Sequence, residues 1–293
     1  MIKYNFICSL EAKPKGLHKK KEIIMKKFLA IVLALVMVLG LAACGNSSTG
    51  TATTTPTDTK VIFTQGFDLD FPPYTYLGDD GNYTGFDVEL CQAVCDYLGW
   101  EYAGFPVNWD AKDAELNSGS CDCIWSGFTI NGREDLYTWS IPYSNNEQMI
   151  LVPEGSDIKT LDDLAGKVVG VQMSTSADDM LADARADLTA TFKELKEYET
   201  YTIAFTDLKA GGCDALAIDV TTGNFQMEQN KDFPCVYLAE MLGNEQYGVG
   251  FRLGDTELCN QVNNALKALA KDGTVDKIAA KYPEITDYIS IAY

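Results

Sequence analysis

The order of apolar and polar residues along this chain predicts an α/β protein of two lobes, each a mostly parallel sheet flanked by helices, the two joined by a pair of crossing hinge segments. Three observations carry the prediction. From residue 61 onward, short apolar runs of strand length alternate with stretches of helical period, the rhythm of parallel βαβ units. That rhythm restarts after the stretch 147–152. The stretch 60–293 is also longer than one compact core usually organises, and no repeat of 20 to 50 residues divides it.

The elements follow in order. A strand is expected over 61–64, then a turn-rich Phe71-Pro72-Pro73-Tyr74. Gly85 and Phe86 open a helix on which Val88, Cys91, Cys95 and Leu98 make an apolar stripe, and Gly99 ends it. A strand at 100–107, a short helix at 111–117 and a strand at 121–126 complete the first alternation. Thr160 with Asp163 three residues on reads as a helix cap, with Gly166 closing that short helix. A buried strand is expected at 168–171, a helix at 177–188 after Ser174-Thr175-Ser176, and a strand at 215–218 that ends on Asp219. The chain crosses back near 247–251 and finishes with helices at 256–271 and 274–282. The hinge segments fall near 144–151 and 244–249. Lobe 1 is then 60–146 with 248–293, and lobe 2 is 147–247.

Upstream, Lys26-Lys27 precede an apolar run at 28–41 and then Ala42-Ala43-Cys44-Gly45, the layout of a secretory signal. The run falls short of the roughly 20 apolar residues of a membrane-spanning helix. Residues 41–44, Leu-Ala-Ala-Cys, resemble the bacterial lipobox, which implies acylation of Cys44 and stable anchoring through two or three chains, the alternative being an ordinary signal peptide with an incidental Cys. The Ser- and Thr-rich stretch 44–59 reads as a flexible tether. Residues 1–24 fit no targeting segment. Lys21-Glu22 must be encoded by purine-rich codons shortly before the ATG of Met25, which points to translation starting at Met25.

The formal net charge is −19, and residues 1–43 are themselves basic, so the remainder is more acidic still. Such acidity argues against nucleic acid and anionic lipid surfaces as partners. The only histidine, His18, precedes Cys44, so the domain lacks an imidazole for a Ser-His or Cys-His pair and for His-type metal sites. Seven cysteines follow Cys44, an odd number. Cys91 and Cys95 on a helix, and Cys121 and Cys123 on a strand, are spaced too widely to bridge. They read as small buried hydrophobes in preference to zinc ligands, and no cofactor motif is visible.

Several segments together resemble the polar amino-acid type of bacterial extracellular solute-binding proteins, the receptors of ATP-driven (ABC) importers. They are Asp68 with Phe71-Pro72-Pro73-Tyr74; Gly85-Phe86-Asp87-Val88-Glu89-Leu90; Ser126-Gly127-Phe128-Thr129-Ile130 with Arg133; LDDLAGKVVGV at 161–171; Asp214-Ala215 with Asp219; and Tyr247-Gly248-Val249-Gly250-Phe251. Each is weak alone, and their order and spacing over 60–282 make the signal. The resemblance implies a periplasmic-binding-protein-like fold, a monomer, and capture of a free amino acid for a membrane permease, with the protein held outside the cell through lipidated Cys44.

A free amino acid is a zwitterion, and each charged end must meet a counter-charge if both are buried. Arg133 follows a strand end and a polar turn, where its guanidinium can grip a carboxylate through two hydrogen bonds, and the resemblance places the carboxylate-binding Arg here. The alternative is a surface Arg paired with Glu134 or Asp135. Thr175 and Ser176 sit before a helix, where they either bind the same carboxylate or act as plain N-caps. Asp219 matches the acid that meets the ammonium, with a turn or cap Asp as its alternative. Gly127 and Thr129 resemble positions that offer a carbonyl and a hydroxyl. Phe71 and Trp109 resemble aromatic walls around the ligand, core packing being the alternative for Phe71. Asp68 is expected at the side-chain end, with Tyr74 and Trp125 as weaker candidates. Gln172, an amide where some relatives carry a cation, favours a neutral polar or sulfur-containing ligand. Two rival readings stay open: an enzyme on the same scaffold, dehydratase-like or peptidoglycan-cleaving, and a surface amino-acid sensor.

Overall fold

The computed structural model describes residues 60–293. The start at Met25, the apolar leader, Cys44 and the tether 44–59 lie outside the described residues.

In chain order the first strands are β1 (Ile62–Asp68), β2 (Asp70–Phe71), β3 (Thr75–Leu77) and β4 (Tyr83–Thr84). Helix α1 (Phe86–Leu98) leads to β5 (Glu101–Val107). A 3₁₀ turn at Trp109–Ala111 runs into α2 (Lys112–Ser118), and β6 (Cys123–Ile124) and β7 (Thr138–Trp139) follow. The long β8 (Ser144–Pro153) crosses to the second sheet, where a 3₁₀ turn at Leu161–Leu164 precedes β9 (Val168–Gln172). Then come α3 (Ser176–Ala182), α4 (Ala186–Thr189), β10 (Glu194–Tyr198), α5 (Tyr201–Ala210), β11 (Ala215–Asp219) and α6 (Val220–Gln229). The chain closes with β12 (Cys235–Tyr237), β13 (Gly243–Tyr247), β14 (Gly250–Phe251), α7 (Thr256–Lys271) and α8 (Thr274–Ala279).

These strands form the two-lobed α/β fold. One sheet has the order β5-β1-β6-β14-β7, the other β10-β9-β11-β8-β12 with β13 also paired to β8, and β2-β3-β4 make a small third sheet. Each large sheet has a parallel heart, β5-β1-β6 in one and β10-β9-β11 in the other. The remaining strands add antiparallel to these, so both sheets are mixed.

Alternation explains how the second sheet is filled. Ile150 and Val152, Val169 and Val171, and Ala215 and Ala217 point to one face, where Leu164 and Leu181 cover them. Leu151, Leu216 and Ile218 point to the other, against Ala204, Phe205 and Leu208 of α5. In the first lobe α1 packs on α7, with Val94, Cys95, Val262 and Leu266 buried between them. The seven cysteines in this region are buried free thiols.

Two local readings change. The helix expected over 177–188 breaks at Asp183 into α3 and α4. No Pro or Gly forces the break; the Arg185 guanidinium reaches out to the carbonyls of Met241 and Leu242, which fixes the chain there by tertiary contact. The strand at 121–126 keeps ladder pairing only at Cys123–Ile124, because the chain turns away at Gly127, whose φ is 54°. The segment after Asp219, for which no element was expected, is helix α6, and Asp219 stands at its N-cap.

The crossings between sheets are β8 and β13. They lie side by side as an antiparallel ribbon, Ser144 opposite Tyr247 and Gln148 opposite Gly243.

Candidate functional site

A parallel sheet brings the C-terminal ends of its strands to one edge, and here the two sheets present those edges to each other. Asp68 ends β1, Trp109 follows β5, and Ser126 to Arg133 follow β6. From the other side, Gln172 ends β9, Thr175 and Ser176 start α3, and Asp219 ends β11. One pocket is lined by Asp68, Phe71, Trp109, Gly127, Thr129, Arg133, Thr175, Ser176 and Asp219, together with Ser126 and Gln172. The nine residues singled out from sequence therefore share a single cavity. Tyr74 and Trp125 do not line it. Both are fully buried in the core, Tyr74 edge-on to Phe86 and Tyr247, and Trp125 tilted against Tyr143.

The cleft is closed. The Gln172 amide donates to Asp68 Oδ2 at 2.6 Å, the Ser174 hydroxyl to Asp110 at 2.6 Å, and the Thr202 hydroxyl to Asp70 at 2.7 Å. Arg133, 8 % exposed, lies over the Phe128 ring and reaches across to Asp179 of α3 at 2.6 Å, leaving Glu134 and Asp135 outside its reach in solvent. Lys112 stands beside it, buried, over the Trp109 ring, with its ammonium 3.4 Å from the Ser174 carbonyl. Burial and the Arg133 charge hold the Lys112 ammonium below its usual pKa.

At the opposite end the titratable groups are acids. Asp219 accepts from Asn146 at 2.8 Å, Gln148 at 2.7 Å and the Tyr247 hydroxyl. Burial, and behind it the neighbouring Glu245 carboxyl, pushes Asp219 up to about 8. Burial likewise raises Asp68 to about 6, against the hydrogen bonds from the Asp70 amide and Gln172. Among the described residues no cation pairs with either acid. A pocket with a buried cationic end and a buried acidic end suits a small dipolar ion.

Local chemistry fixes the walls. Gly127 donates its N–H to buried Asp87 at 2.7 Å, and Asp87 also accepts from Tyr143 at 2.7 Å. A Cβ on Gly127 would stand 2.5 Å from the Phe71 ring, so glycine is what lets Phe71 form the wall. Thr175 caps α3, accepting from the Asp178 amide and donating to the Gln172 carbonyl at 2.7 Å.

Sequence reading missed Asn146, Gln148 and Glu245. The signal was present in part: Ser144, Asn146 and Gln148 alternate as buried polar residues along β8, which is unusual for a buried strand face.

Two mixed sheets that close over a polar, charge-split cleft define a solute-binding protein. Residues 63–284 match the model for bacterial extracellular solute-binding proteins, family 3, and the chain belongs to that family. It is 31 % identical over 220 residues to the L-cystine-binding protein TcyJ of Escherichia coli (strain K12), covering 74 % of this chain and 80 % of that one. A histidine-bound substrate-binding protein of an ABC uptake transporter from Streptococcus pneumoniae superposes with a TM-score of 0.71 at 32 % identity, over 75 % of this chain and 92 % of the other. An ancestral amino-acid-binding protein, described as a precursor of cyclohexadienyl dehydratase, superposes with a TM-score of 0.68 at 30 % identity, over 75 % and 95 %. No helix among the described residues is long and apolar enough to cross a membrane.

Proposed function

We propose that this chain captures a free amino acid outside the cytoplasm, closes its two lobes around it, and delivers it to an ABC importer. The observation that carries the reading is the single pocket that Arg133 from one lobe and Asp219 from the other line together, a guanidinium and a carboxyl group. The ligand carboxylate takes Arg133 with Thr175 and Ser176, drawing the guanidinium away from solvent-facing Asp179. The ammonium takes Asp219 with Thr129 and the Gly127 carbonyl. Phe71 and Trp109 flank the aliphatic part, and the Asp68–Gln172 pair meets the side chain. An acid-and-amide pair suits a neutral polar or sulfur-containing ligand that carries a hydrogen-bond donor and disfavours Asp and Glu. Relatives named for L-cystine and histidine binding support this class.

The polar groups of the pocket all have binding roles, and we read the protein as a binding protein without catalytic function; product formation on incubation with candidate substrates overturns that. The protein acts as a monomer, without cofactor, tethered by acylated Cys44, and Cys44→Ala is expected to release it from the membrane fraction. A thermal-shift screen of the twenty amino acids plus cystine and ornithine identifies the ligand, since a saturating ligand raises stability by RT ln(1 + [L]/Kd). Arg133→Ala and Asp219→Ala are each expected to weaken that ligand 10²-fold or more, because each strands a buried charge. Near-wild-type affinity in both variants refutes the assignment.

A further inference from the structure

Asp219 is not alone at its end of the cleft. Glu245, on β13 and 2 % exposed, accepts from the same two amides that reach Asp219: Asn146 at 2.6 Å and Gln148 at 2.8 Å. Its other oxygen accepts from the hydroxyl of pocket-lining Thr129 at 3.0 Å. The two carboxyl groups thus meet across shared amide nitrogens, enclosed by the hinge ribbon. The tyrosines coupled to the pair are Tyr247 on β13, Tyr74 after β2, Tyr201 at the start of α5 and Tyr237 on β12, each held neutral by burial, and Arg133 and Asp68 line the same pocket as Asp219. Among the described residues no lysine or arginine pairs with either acid. The N-terminus of α6 beside Asp219 and the amide donors stabilise one negative charge. Nothing there compensates a second, and two adjacent buried carboxylates do not both ionise readily.

We propose that in the empty cleft Asp219 and Glu245 hold one proton between them, and that the ligand's ammonium displaces it. Resting on the assignment of Asp219 as the ammonium's partner, this makes Glu245 a positioning residue that sets how affinity depends on pH. The balance is simple: one carboxyl O–H breaks, its proton passes to solvent, and ammonium N–H groups donate to the freed carboxylate. The raised pKa of Asp219, near 8, has the sign this requires. Below that pH, binding must expel the proton, so affinity climbs by up to about tenfold per pH unit toward 8.

The test begins without ligand. Carboxyl ¹³C NMR of the whole chain is expected to show one carboxyl of the pair protonated until about pH 8, separable from the other raised acids Asp68, Asp87 and Asp178 by the variants. Glu245→Gln is expected to lower the Asp219 midpoint by more than about one unit, and Asp219→Asn to abolish the pair's signal. Calorimetry with L-cystine at about pH 6 and pH 7.5, in two buffers of different ionisation enthalpy, should show proton release in the wild type that Glu245→Gln removes. A purely structural Glu245 would instead change affinity by the same factor at both pH values. An unchanged Asp219 midpoint in Glu245→Gln overturns this inference and leaves the site standing if Asp219→Asn loses L-cystine. L-cystine bound equally well by Asp219→Asn overturns both.

Discussion

Gly127 shows how much one residue decides. Its left-handed φ of 54°, its N–H on buried Asp87 and the Phe71 ring against its α-carbon fix the turn from which Thr129 and Arg133 project. Gly127→Ala must move either the ring or the turn, and calorimetry is expected to show affinity falling on the order of tenfold or more, the scale of overpacking a tight contact. Wild-type affinity in that variant would mean that the wall is not used. At this scale the charged and aromatic residues that line the pocket were legible through the resemblance of their segments to solute-binding proteins, and the needs of a zwitterion account for their types. Asn146, Gln148 and Glu245 were not. Their roles depend on the register that sets Gln148 opposite Gly243 and Glu245 opposite Asn146, which no short segment encodes.

Elements with strong punctuation were read well, and those held by tertiary contact were not. Helix α7 spans the expected Thr256–Lys271, and the reciprocal cap of Thr160 and Asp163 starts its 3₁₀ turn as their spacing predicts. Strand β10 and helices α5 and α6 went unread. The α5 sequence is rich in β-branched and aromatic residues and gains its helix by packing Ala204, Phe205 and Leu208 on the sheet. Leu164, fully buried at the end of the Thr160-capped turn, tests how that element supports the second lobe. Leu164→Ala is expected to cost about 2–5 kcal/mol in urea unfolding while saturating ligand still binds. A loss below about 1 kcal/mol would show that the turn contributes little to the core.

At the scale of the molecule, function follows from having two sheet edges and two crossings. Ligand contacts to both lobes exist together only in the closed arrangement, so binding and closure are one equilibrium. The ribbon of β8 and β13 carries Asn146, Gln148 and Glu245 where the chain crosses between the two sheets, so the proton proposed for Asp219 and Glu245 sits beside a crossing. The alternation of strands and helices made the two lobes legible, whereas the antiparallel additions were hidden because short strands such as β14 and β7 carry no periodic signal. The most direct measurement pairs ligand chemistry with variants: titrate the bound amino acid, its N-acetyl derivative and its carboxamide into wild type, Asp219→Ala and Arg133→Ala. Each modified ligand should lose 10²-fold or more against wild type, with the N-acetyl loss vanishing in Asp219→Ala and the carboxamide loss vanishing in Arg133→Ala. Losses that simply add, with no such pairing, would contradict the assignment of one charged end to each lobe.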